Sequence, residues 1–94
     1  MMELRDTVEL MTSDDYEERF RAEYWQTYIR YSKLYRMLCA WNDGELDFKP
    51  SCSHELLERQ YQAMGEYLLA LKERALIEHI DLCQDVQRCA GKEG

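Results

Sequence analysis

The sequence predicts an all-α protein: a long antiparallel helical hairpin that assembles with copies of itself into a helical-bundle homo-oligomer. Three observations carry this expectation. First, two apolar stripes step 4-3-4-3. One runs Phe20, Tyr24, Thr27, Tyr31, Leu34, Leu38, Trp41, and the other Leu57, Tyr61, Met64, Leu68, Leu71, Ala75. That spacing holds one face of a helix against another helix. Second, one short break separates them, Asn42-Asp43-Gly44 through Lys49-Pro50, and it contains the only proline of the chain. Third, apolar groups reach further round each helix than one partner can cover.

Residues 1–13 form an N-terminal extension. In it Leu4, Val8 and Met11 step by four and three, which fits a brief helix. Ser13 is a candidate N-cap, since its hydroxyl can accept a first-turn N–H. Helix 1 is expected over about 14–41. Asp14, Asp15, Glu17 and Glu18 crowd its start and Arg30, Lys33 and Arg36 lie toward its end, a gradient that complements the helix dipole. The loop, 42–52, leaves the helix at Asp43-Gly44, where glycine accepts a positive φ at low cost. Leu46 and Phe48 are expected to fold back on the end of the hairpin. Lys49-Pro50 delays the next helix, because the residue before proline avoids the α region. Ser51 or Ser53 can cap helix 2, expected over about 53–80, and residues 81–94 form a partly helical tail.

The bulk properties narrow the function. Ninety-four residues make one small domain. A net charge of −7 opposes non-specific binding to nucleic acid, which is driven by phosphate neutralisation. No run approaches the roughly 18 apolar residues of a membrane span, and the acidic N-terminal segment lacks the pattern of a secretory signal. The expected location is the cytoplasm, with the four cysteines, Cys39, Cys52, Cys83 and Cys89, as free thiols.

On helix 1, Trp25 and Ile29 point well away from the main stripe; on helix 2, Leu69 and Leu76 lie off it. These four are the expected oligomer interface. The other way to cover that second face is for the chain's own termini to fold back over it.

The residues offer three candidate chemistries. Cys52-x-His54 and Cys83-x5-Cys89 with His79 match no common zinc spacing, so no metal site is expected. No phosphate-binding glycine loop and no supported nucleophile pair occur, so no catalytic residues, cofactor or enzymatic activity are expected. The third is a strip of cations, Arg30, Lys33 and Arg36, interleaved with Trp25, Tyr28, Tyr31 and Tyr35, of which Tyr28 and Tyr35 are the expected stacking rings. Guanidinium and ammonium groups hold phosphates, and aromatic faces stack on bases. Its simpler reading is a dipole-matched basic helix end beside core aromatics. Its functional reading is a pocket for a small anionic nucleotide.

The run Gly44-Glu45-Leu46-Asp47-Phe48, followed by Cys52, Leu56-Leu57, Gln60, Ala63-Met64, Tyr67, Leu71, Arg74-Ala75 and Glu78, resembles a family of short phage and prophage proteins related to a small gene product of a crAss-like gut phage. The upstream segment from Arg21-Ala22-Glu23-Tyr24 to Leu38 is similar too, so the likeness spans roughly residues 17–82. Ser53 departs from the pattern, in which a proline commonly follows the cysteine. The resemblance implies a phage origin and a helical hairpin, and it transfers no catalytic residues. By architecture alone the chain is also similar to anti-defence sponges, oligomers of helical hairpins that sequester signalling nucleotides. The leading expectation is therefore a counter-defence protein that sequesters a host immune nucleotide. Its rivals are an acidic inhibitor of a host defence protein, such as a CRISPR effector, and a structural or adaptor hairpin.

Overall fold

A computed structural model describes residues 2–83 of the chain. Every regular element in that stretch is helical. A 3-10 turn at Leu4–Thr7 runs into a short helix, α1, at Val8–Met11. Two long helices follow, α2 at Tyr16–Asn42 and α3 at His54–Glu78. α2 and α3 pack as a hairpin, and the 3-10 turn and α1 fold back onto α2.

Local chemistry sets the ends. α2 starts later than a Ser13 cap would place it, because Asp15 takes the N-cap and accepts the Glu17 N–H at 3.0 Å. Ser13 instead braces the approach: its hydroxyl accepts the Asp15 N–H at 2.9 Å and donates to Glu18 at 2.6 Å. α2 ends at the expected place, with Gly44 at φ +73°. Ser53 caps α3, accepting the Leu56 N–H at 3.1 Å. Of the two loop residues expected to fold back, Leu46 is half-buried, but Phe48 remains 55% exposed. α3 stops at Glu78, earlier than residue 80, because His79 adopts a left-handed conformation (φ 60°, ψ 42°). The Ile80 N–H then returns to the Ala75 carbonyl at 2.9 Å, and the Ile80 side chain turns into the core. That reversal takes residues 81–83 out of the helix. The expectation of a partly helical tail otherwise concerns residues 84–94, which lie outside the described residues.

The core joins the two stripes: Phe20 and Tyr24 from α2, Leu68, Leu71 and Ala75 from α3, with Ile80 closing one end. Arg74 lies over the Phe20 ring at 4.8 Å and donates to the Tyr16 hydroxyl at 3.0 Å, which in turn donates to Glu78 at 2.8 Å. Tyr67 donates to Glu23 across the same helix pair. At the loop end Trp41 and His54 meet edge to face, 5.0 Å between ring centres.

The second face of α2 is covered within the chain. Ile29 is only 8% exposed and Ala22 is fully buried, and Met2 and Thr7 of the N-terminal segment that packs on α2 are buried too. The Trp25 indole is half-buried and donates to the Leu82 carbonyl at 2.6 Å. For these two residues the folded-back terminal segments supply cover that was expected from a second copy. The physical reason is local: a strap a few residues from α2 docks at a far lower entropic cost than a separate chain. Leu69 and Leu76 are different. They stand 58% and 78% exposed on α3, with Ile77 beside them.

Candidate functional site

Helix geometry explains how the strip on α2 becomes a concave site. At about 100° per residue, Tyr28, Ser32, Lys33 and Arg36 occupy adjoining rows on the flank toward which the N-terminal strap folds. The strap and this flank enclose a cleft of about 550 Å³ lined by Met2, Glu3, Leu4 and Arg5 on one wall and Tyr28, Ile29, Ser32, Lys33 and Arg36 on the other. Three cations and a single carboxylate face it.

A second cleft of about 370 Å³ adjoins the first and is lined by Tyr28, Tyr31, Ser32, Tyr35, Arg36 and Tyr61. Tyr28, Ser32 and Arg36 are common to both. One compartment is therefore basic, the next is walled by phenol rings, and Arg36 stands between them.

The tyrosine wall is ordered by stacking. Tyr31 and Tyr61 lie 4.6 Å apart and nearly parallel at 9°, and their hydroxyls are hydrogen-bonded at 3.1 Å. Tyr35 stacks on the same Tyr61 ring at 5.7 Å. Tyr28 meets Trp25 edge to face at 5.3 Å. Tyr31 can sit this close to α3 because residue 65 is glycine: a Cβ there would lie 3.3 Å from the Tyr31 ring. The hydrogen bond with Tyr31, with burial and nearby tyrosines adding, pushes the Tyr61 phenol up to about 12. Hydrogen bonding with Cys39 raises Tyr35 as well. Phenols are already neutral near pH 7 and these shifts move both further from ionisation, so the wall offers stacking faces without repelling an anion.

Of the five expected ligand contacts, the fold brings Tyr28, Lys33, Arg36 and Tyr35 to these two clefts. Arg30 lines neither. It sits about 60° round the helix from Lys33 and about 120° from Arg36, beyond the reach of the strap. Sequence spacing grouped all three cations because they share one helix end, and it could not say which flank would be walled. Ser32 was not among the expected contacts, although its spacing of four from both Tyr28 and Arg36 is a signal that could have found it. Tyr61 was visible only as a member of a packing stripe, and Tyr31 both there and among the aromatics interleaved with the cations. Arg5 and Glu3 carried no signal, since their role depends on where the strap lands.

Cys39, Cys52 and Cys83 are free thiols. Among the described residues no group of three or more His, Cys, Asp or Glu side chains could hold a metal ion. No helix among them is long and apolar enough to cross a membrane.

Residues 14–77 match the family model named Sequestin. The matched stretch contains the hairpin up to Ile77 and all of the α2 and α3 residues that line the two clefts, while the strap residues of the first cleft lie outside it. The name describes a sequestering protein, and nothing in the match links the chain to crAss-like phage. No curated protein and no solved structure matches the chain.

Proposed function

The chain belongs to the Sequestin family, and on that premise we propose that it is a phage-encoded counter-defence protein that binds and sequesters a host immune signalling nucleotide without cleaving it. Its place of action is the cytoplasm of the infected bacterium. One observation carries the reading: a basic compartment and a tyrosine-walled compartment that share Tyr28, Ser32 and Arg36. Lys33 and Arg36 hold phosphate oxygens with charge-assisted hydrogen bonds. Tyr28 and Tyr35 stack on the base. Sequestration needs affinity and slow release, so no acid, base or nucleophile has to be placed. The proposed working form is a homo-oligomer joined through the open face of α3 at Leu69 and Leu76.

Native mass spectrometry of the protein purified from a bacterial host, before and after a panel of cyclic and ADP-ribose-type nucleotides, tests this. The expected result is an oligomer that gains a few hundred daltons per site, with the gain lost in a Lys33→Ala/Arg36→Ala double variant and kept in Arg30→Ala. A species that takes up nothing from lysate or panel overturns the reading in favour of an inhibitor that binds a host defence protein.

A further inference from the structure

The strap wall of the basic cleft is as informative as the helix wall. Its shape is fixed locally: the Glu3 N–H donates to Asp6 at 2.8 Å, the Thr7 hydroxyl donates to the Leu4 carbonyl at 2.7 Å, and Met2 and Thr7 are buried against the rest of the chain. This backbone presents Arg5 across the cleft from Lys33 and Arg36. The one acid in the lining is Glu3, whose Oε1 lies 3.6 Å from Arg5 Nε. Both side chains are well exposed, and the Glu3 carboxylate also closes a capping box with Asp6 over the first turn of the strap.

A carboxylate in an otherwise cationic cleft is a local stand-in for a ligand's anionic oxygen. We propose that Arg5 is a third ligand-binding cation and that Glu3 is a built-in competitor, which holds Arg5 until a phosphate displaces it. This rests on the sequestration reading above and names the ligand class more closely. Cations on both walls suit an anion that spans them, and three cations less one carboxylate leave a net lining charge of two. The ligand chemistry that fits is a nucleotide whose phosphates form a pyrophosphate bridge. Its phosphates would lie between Arg5 and the Lys33–Arg36 pair, and its base against the tyrosine wall.

The test is calorimetry on the full chain, tagged only at the C-terminus, with ADP and ADP-ribose as probes and AMP as the single-phosphate control. The wild type is expected to bind both diphosphate probes more tightly than AMP. Arg5→Ala should weaken the diphosphate probes by about 3- to 10-fold, with Arg5→Lys keeping most of the affinity. Glu3→Gln should tighten them by about 2- to 5-fold, and this gain should fade at high ionic strength as screening silences the competitor. Glu3→Gln removes the charge but keeps a side-chain oxygen for the capping box with Asp6, so it stays decisive even if Arg5→Ala loosens the fold. Unchanged affinities in Arg5→Ala and Glu3→Gln, alongside loss in Lys33→Ala/Arg36→Ala, would overturn the role of the strap and leave sequestration standing. Equal binding of AMP and ADP would overturn the diphosphate assignment. If no probe binds the wild type, the inference falls, and uptake in the mass-spectrometry panel decides separately whether sequestration falls with it.

Discussion

Replacing Ile29 with alanine separates the strap from the hairpin. Ile29 lies under the N-terminal segment, 8% exposed, on the face of α2 opposite the core formed by Phe20, Tyr24, Leu68, Leu71, Ala75 and Ile80. Truncation removes three buried carbons and leaves a cavity, a loss of about 2–4 kcal/mol. Alanine is the better helix former by a few tenths of a kcal/mol, so α2 itself is not weakened. The loss therefore falls on docking of residues 2–11, and the protection of their amides should drop by about 30- to 700-fold, limited by full opening of the strap. Hydrogen exchange read by mass spectrometry reports this directly, with peptides from residues 2–12 and from residues 57–75 as the two arms. The strap peptides should exchange fast while the α3 core peptides keep their protection, at every protein concentration tried. Equal loss in both arms would refute the idea that the strap is a separable layer. A loss that varies with concentration would show that a second chain, rather than the strap, covers Ile29.

Two further outcomes follow from the fold. His79 caps α3 at φ 60° with an exposed side chain that makes no hydrogen bond or ion pair among the described residues, so His79→Gly should stabilise the protein by about 0.5–1 kcal/mol, a Tm rise of about 2–8 °C in a thermal melt. The Tyr61 phenol is held up to about 12, so its folded-state value exceeds the ordinary one near 10. The stability this contributes is complete below pH 10 and drains away as pH rises toward 12. Ultraviolet difference titration should find Tyr61 the last of several late-ionising phenols, and Tyr61→Phe should remove the most resistant step.

Much of the fold was written in local chemistry. The 4-3 stripes, the Asp43-Gly44 exit and the Ser53 cap depend on residues within a turn or two of each other, and the hairpin follows from them. The finer ends were less legible. Asp15 and Ser13 both offer cap oxygens, and only the observed bonds decide between them. His79 carries no left-handed signature of its own. It takes that conformation because burying Ile80 against Phe20 and Tyr24 outweighs the strain.

For the site, sequence alone determined that Tyr28, Lys33, Tyr35 and Arg36 share one helix end, because helical period fixes neighbours along a single element. Tertiary structure decided which flank became concave. That choice depends on where a strap twenty-odd residues upstream comes to rest, and on a glycine at 65 that lets Tyr31 close on Tyr61. It set Arg30 outside the clefts and brought Arg5, Glu3 and Ser32 in. It also covered Ile29 and Trp25 within the chain while leaving Leu69 and Leu76 open. Contacts between distant segments have no period to read. They are settled by which apolar faces find cover first, and that competition is decided only when the whole chain packs.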